Sequence, residues 1–258
     1  MDQKNRQFSA ITLLITHYNR SSSLSRLLNQ FRKLDCRFGD IVVSDDGSNP
    51  EHMSELEKLK SEYSFQLITT PVNKGLGNNI NKGQDAVNTP YTVYIQEDFL
   101  PSADFATHLE DAYLFMQERQ DLDIVRFYAY YNYPYLENYK LGYSEMKIPW
   151  LALNYTKIYF YSDHPHLRRS SFLEKFGRYA EGLKGDKTEY KMCINFIQKK
   201  GKGLFYDNFK ALFDQINSED EPSMMKRSNW TQSKNPFIKL IRDLYRQFKY
   251  NYDLKFSR

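Results

Sequence analysis

Two adjacent carboxylates, Glu97 and Asp98, stand one residue, Gln96, after the apolar run YTVYI. Such a pair offers hard oxygen ligands to Mg²⁺ or Mn²⁺, and a cation held there would grip a ligand's diphosphate. The plain alternative is two acids opening a loop. Asp45 and Asp46 follow a second apolar run, DIVVS. They suit hydrogen bonds from a base imide or from ribose hydroxyls, or else Asp46 and Ser48 cap the next helix. Tyr18 in THYNR offers a ring face for stacking on a base, or is a rim tyrosine. Gly75, Gly77 and Gly83 in NKGLGNNINKG let backbone approach closely at a helix start, where N–H groups favour phosphate oxygens. An ordinary loop is the other reading, since the stretch lacks the GKS/T of a Walker A sequence. Glu189 and Asp186 sit where a helix begins. Taken alone, they are solvated acids favoured by the helix dipole. Asp163, His164, His166, Arg168 and Arg169 form a further polar group. A His or Arg there reaches a diphosphate or acceptor phosphate, or is structural; HxH without partnering Cys or His is no zinc site.

These clusters need a frame that brings them together. Residues 8–16 read as a buried strand, and 21–34 as a helix with Leu24, Leu27, Leu28 and Phe31 on one face and serine hydroxyls at its start. Residues 40–44, 65–69 and 91–95 read as strands, 51–63 as a helix, and 73–83 as a turn entering a helix. Strands alternating with helices imply a parallel sheet with right-handed crossovers. In such sheets ligands collect at the carboxyl ends of strands, where THYNR, SDDGS, NKGLGNNINKG and QEDF all fall. Further on, 124–131 reads as a strand. The Tyr- and Pro-rich stretch 132–150 reads as a loop or hairpin over the site, with Tyr131, Tyr133, Tyr135 and Trp150 as a possible platform for sugar rings. Residues 173–176 and 187–200 read as helices and 203–206 as a late strand, with Asp214 and Gln215 beyond it.

The 258 residues hold only two cysteines and no CxxC, so neither a disulfide framework nor a thiolate metal site is expected. No apolar run approaches the roughly 18 residues of a spanning helix, and the N-terminus has no secretory signal. With 21 Tyr and 18 Phe the chain is not disordered in bulk. Its net charge of +4 fits an anionic ligand or surface. Basic residues are spread among 32 acids and no recognised DNA or RNA motif occurs, which argues against nucleic acid. Residues 216–236 are polar and breaker-rich, a linker by composition. Residues 237–258 carry apolar side chains at helical spacing among Lys and Arg, so they suit either an anionic membrane face or the protein's own core.

The four motifs in this order and with these gaps resemble the family 2 glycosyltransferases. The resemblance covers residues 8–102 well and 163–206 more loosely. It implies an α/β GT-A fold, Rossmann-like, with a mostly parallel sheet flanked by helices. Residues 1–215 would form the domain (1–102 the nucleotide half, 103–215 the acceptor half), followed by the linker and the C-terminal helix. It further implies that Thr16, Tyr18 and Arg20 line the nucleotide pocket, that Asp45 or Asp46 binds the base or ribose, and that Asn73, Gly75 and Asn81 lie near the ribose-diphosphate. Asp98 and Glu97 would hold Mn²⁺ or Mg²⁺, and Glu189 would be the base with Asp186 in reserve. The chain departs from the pattern in three places. Gln96 replaces the first acid of Asp-x-Asp, Ile80 stands where an Arg is common (with Lys74 or Lys82 as substitutes), and Tyr190 stands where a second acid is usual. The implied activity is inverting transfer from a nucleoside diphosphate sugar, by default a UDP-sugar, to a hydroxyl of a glycan or lipid-linked acceptor. It would serve surface polysaccharide synthesis in the cytoplasm, at the inner face of the cell membrane. The alternative is a sugar-nucleotide-binding protein with impaired catalysis.

Overall fold

The computed structural model describes residues 6–150, 152–216 and 235–256. The linker expected at 216–236 lies almost wholly outside them. Four strands lead: β1 (Arg6–His17), β2 (Cys36–Asp45), β3 (Gln66–Ile68) and β4 (Tyr91–Gln96). Between them run α1 (Ser21–Lys33), α2 (Pro50–Tyr63) and α3 (Leu76–Asp85). Next come β5 (Phe99–Pro101), α4 (Phe105–Glu118), β6 (Ile124–Arg126), the hairpin β7 (Leu136–Lys140) and β8 (Tyr143–Met146), and a 3₁₀ helix at Tyr155–Phe160. The remainder is β9 (His166–Arg169), α5 (Phe172–Phe176), α6 (Gly185–Gln198), β10 (Gly203–Tyr206), β11 (Phe213–Gln215) and a last helix, here α7 (Pro236–Phe256).

Nine strands form one sheet in the order β3-β2-β1-β4-β9-β6-β10-β8-β7, and β5 pairs with β11 beside it. Only β8 and β9 run against the rest. Sequence periodicity explains the two layers. On β1, Leu13 and Ile15 point to one face, where Leu24, Leu27 and Phe31 of α1 and Leu56 of α2 cover them. Leu14 points to the other, where Ile80 of α3 and Phe172, Phe176 and Phe196 of α5 and α6 lie. Gly83 sets how closely α3 settles on the sheet. A Cβ there would lie 2.6 Å from Leu14 Cδ1 and 2.9 Å from Ser44 Cβ.

The structure corrects several expectations of detail. Strand β9, unforeseen because HLRR has no alternation, inserts antiparallel between β4 and β6. The 132–150 stretch is a hairpin that extends the far sheet edge. The serines at the start of α1 do not cap it; Ser21 Oγ pairs instead with His52 Nδ1 at 2.9 Å.

Candidate functional site

Parallel register alone aligns the chemistry. Thr16 lies opposite Ser44 on one side and Gln96 on the other, and His17 lies opposite Asp45. The loops leaving β1, β2 and β4 therefore share one rim, as the motif positions imply. Two clamps join the first two loops: the Asn19 N–H donates to Ser48 Oγ and the Asn49 N–H to Asn19 Oδ1, both at 2.8 Å.

Asp45 is fully buried, and both its oxygens are spent inside the protein. Oδ1 accepts from His17 Nδ1 at 2.8 Å and from Ser48 Oγ at 2.5 Å. Oδ2 accepts the Gly47 and Ser48 N–H groups at 3.0 Å and the Thr69 hydroxyl at 2.9 Å. Burial alone would raise its pKa; the bonds from His17 and Ser48 outweigh that and hold the carboxyl well below the usual range. His17 Nε2 accepts the Arg20 N–H at 3.2 Å, which fixes the proton on Nδ1. Asp46 receives the Lys74 and Gly75 N–H groups at 2.8 Å, one on each oxygen, and so fastens the glycine-rich turn instead of capping α2. Asn81 is likewise occupied. It holds Tyr179 by both backbone groups at 3.0 Å and donates to Glu181 Oε1 at 2.8 Å. These three residues build the rim and leave it to others to face a ligand.

Ile80 is fully buried among apolar neighbours, which is why no Arg stands there. Lys82 Nζ is half-buried on the Asp45 carbonyl and Asn79 Oδ1, its pKa lowered by burial. Thr16 is buried with its hydroxyl 3.1 Å from that of Tyr94, while Tyr18 is partly exposed at the rim. Asn73 and Gly75 line an open cleft of about 610 Å³ with Lys74 and the 181–184 loop.

Arg20 sits between the acids after β4, 3.2 Å from Asp98 and 3.7 Å from Glu97. Asp98 Oδ2 also accepts the Gln215 amide at 2.9 Å, whereas its Oδ1 is buried with no hydrogen-bond partner. That lone oxygen beside a second carboxylate fits a hard divalent cation completed by ligand phosphates, the usual manner for Mg²⁺. Among the described residues no group of three His, Cys, Asp or Glu gathers to make an all-protein cage.

From Asp98 a continuous path leads to the candidate base. Gln215 Oε1 accepts the Tyr130 hydroxyl at 2.7 Å, and the Tyr130 ring packs edge-on to His164 at 4.4 Å. His164 also meets Phe99, next to Asp98, at 6.0 Å. Its neighbour Asp163 donates its N–H to Glu189 Oε1 at 3.1 Å. Burial, then the charge of Asp163, pushes the Glu189 carboxyl well above the usual range. Asp163 is raised by burial against the hydroxyls of Tyr161 and Tyr179. Asp186, by contrast, is exposed on the first turn of α6, where Oδ1 accepts the Lys187 N–H at 2.9 Å.

The remaining polar residues are structural. Arg168 is fully buried on Tyr179 and Gln84, and Arg169 bonds the carbonyls of Leu122, Met116 and Arg119. His166 is fully buried too, so none of the three reaches a phosphate. Tyr133 belongs to the core while Tyr131 and Trp150 are exposed, so they do not form one platform. Sequence reasoning passed over Tyr130 and gave His17 no role. Their signal exists only in space, because their partners lie 85 and 28 positions away.

A family model described as Glycosyl transferase family 2 matches residues 12–177. Among curated proteins, the poly-beta-1,6-N-acetyl-D-glucosamine synthase of Staphylococcus epidermidis is 23% identical over 95 residues, 37% of this chain and 23% of that protein. Its counterpart in Staphylococcus aureus (strain COL) is 24% identical over 98 residues, 38% of this chain and 24% of its own length. The match thus spans about a quarter of these relatives. Among solved structures, S. aureus TarS 1–349 in complex with UDP-GlcNAc aligns with a TM-score of 0.63 at 16% identity, over 96% of this chain and 76% of that one. The mannosyltransferase PcManGT of Pyrobaculum calidifontis, in complex with GDP-Man and Mn²⁺, aligns at 0.56 and 12% identity, over 96% and 70%. At such identities the structural likeness speaks for the fold.

Proposed function

The chain belongs to glycosyl transferase family 2, and on that premise we propose that it moves a sugar from a nucleoside diphosphate sugar to a hydroxyl of a glycan or lipid-linked acceptor, with inversion at the anomeric carbon. The observation that carries this is the unpartnered Oδ1 of Asp98, beside Glu97 and Arg20, on the rim made by β1, β2 and β4. The donor base stacks on Tyr18, the diphosphate lies toward Arg20 and the acids, and Asn73 and Gly75 approach from the cleft side. Thr16, Asp45, Asp46 and Asn81 hold that pocket in shape.

Two chemical demands follow from an oxocarbenium-like transition state. Charge on the departing diphosphate needs neutralising, which Arg20 does by shifting from the carboxylates to the phosphates. A divalent cation held by Asp98 and Glu97, when bound, adds to that neutralisation. The acceptor hydroxyl must lose its proton, and Glu189 takes it from the face opposite the leaving group. A carboxylate raised above its ordinary pKa is the stronger base at neutral pH. UDP is the default donor nucleotide; the complexes with UDP-GlcNAc and GDP-Man among similar folds support a sugar nucleotide without choosing its base.

A thermal-shift panel of UDP, GDP, CDP and their sugars, with and without Mn²⁺, tests the donor. A ligand that binds the folded state raises the melting temperature by mass action. One base should stand out, with a larger shift in Mn²⁺. No shift with any nucleotide contradicts the proposal. A clear shift without transfer to any acceptor favours a binding protein with impaired catalysis.

A further inference from the structure

The last helix is docked the wrong way round for a soluble protein. An amphipathic surface helix normally turns its apolar stripe to the core. In α7 the side facing the protein is mostly polar, with only Tyr250 and Leu254 packed against the core. Asp243 and Gln247 bond Tyr155 at 3.1 and 2.9 Å, Asn251 bonds Lys157 Nζ at 2.5 Å, and Asp253 accepts the Tyr190 hydroxyl at 2.7 Å. The Tyr190 ring packs on Tyr250 at 4.8 Å. The stripe is left outward: Phe237, Leu240, Ile241, Leu244, Tyr245 and Phe248 are 50–78% exposed, and Tyr252 and Phe256 continue it. No residue of the helix is buried. A continuous apolar face of this kind marks an interaction site.

Charge decides what covers it. Both acids of α7 are spent on the docked side. The exposed positions hold apolar residues, Lys239 and Lys255, plus the uncharged start of the helix. Two copies meeting face to face would bring lysines against lysines, whereas anionic headgroups complement them. Leu153, whose carbonyl receives the Asn251 amide at 2.9 Å, flanks the stripe and is 73% exposed; nearby in sequence Trp150 is 91% exposed. Trp and Tyr favour the bilayer interface. No described helix is long and apolar enough to cross a membrane. We propose that α7 lies in the surface of an anionic bilayer, its stripe among the acyl chains and its lysines among the headgroups. Tyr190, the residue after Glu189, rests on α7, so the bilayer would hold the candidate base close to a lipid-borne acceptor. That consequence rests on the transferase reading; the binding does not.

Flotation of the full chain with vesicles tests it, using phosphatidylcholine alone and phosphatidylcholine with phosphatidylglycerol. The chain should float with the anionic vesicles, less with neutral ones and less in high salt. A Leu240→Glu/Leu244→Glu/Phe248→Glu variant should lose the binding while keeping its melting temperature, since those side chains are exposed. Lys239→Gln/Lys255→Gln should weaken partitioning by about 30-fold at low salt. No flotation at low salt overturns the proposal. So does a concentration-dependent dimer by sedimentation that the triple variant abolishes, which would assign the stripe to a second copy. Nucleotide thermal shifts in the same variants report separately on the donor site, so either reading can fail alone.

Discussion

Glu189 and Asp163 are two carboxyl groups whose environments both favour the protonated form. Burial raises both, and the charge of Asp163 raises Glu189 further, so the two titrations are linked. If Glu189 is the base, turnover requires its ionised form. The rate should then rise with pH through a value above the ordinary glutamate range and level off beyond it. Glu189→Gln should lower turnover by about 10²- to 10⁴-fold and leave nucleotide binding intact, read by transfer assay and calorimetry. The linkage to stability has the opposite sign. Above the ordinary carboxylate pKa the folded state binds more protons than the unfolded one, so this pair lowers stability as pH rises. Glu189→Gln should therefore be the more stable form at alkaline pH, measured by denaturant melts at pH 6 and 8.5. A parallel pH dependence in both proteins would remove Glu189 from the buried pair. The family resemblance marked Glu189, but not its partner. The 26 positions from Asp163 to Glu189 close only when β9 turns back beside β4.

At the level of elements, the β1, β2 and β4 ends were legible because a parallel strand writes itself as a short apolar run followed by polar residues. Strand β9 was not, since HLRR owes its place to packing and to the contacts of Arg168 and Arg169. Helix α4 is not among the expected elements, although Phe105, Leu109, Ala112 and Met116 keep helical spacing. The contact of α3 with the sheet gives a prediction. Gly83→Ala forces a methyl against Leu14 and Ser44 and should cost about 1–3 kcal/mol by chemical denaturation. A neutral effect would mean that α3 yields freely. Acid sensitivity belongs here too. Burial lowers His164 to about 3 and His166 well below its usual value, while Asp45 is depressed by its bonds. All three leave the unfolded chain binding protons that the folded chain refuses. Between about pH 6.5 and 4.5 the extra protons the folded state holds on Glu189 and Asp163 offset the histidines, so stability should fall steeply only as pH drops below the ordinary carboxylate range, near 4, in melts recorded from pH 7 to 3.

Across the whole molecule, residues 1–102 read clearly from sequence and residues 103–215 do not. In the first hundred residues local pattern and motif agree. Beyond them the sheet is completed by short strands, a hairpin at its edge and buried aromatic packing, where single residues act through partners far along the chain. The glycine-rich stretch shows the difference. Its glycines read as a phosphate cradle, yet Asp46 already holds the Lys74 and Gly75 N–H groups, and a Cβ at Gly77 would lie 2.3 Å from the Ala180 carbonyl. On the proposed reading, Arg20 and the acids after β4 receive a sugar nucleotide at one rim. A structure of the chain with a UDP-sugar and Mn²⁺ tests it most directly. The account predicts the diphosphate within hydrogen-bond reach of Arg20, the cation on Asp98 and the base against Tyr18. A nucleotide bound away from that rim, or with Arg20 still paired to both carboxylates beside a bound donor, would contradict it.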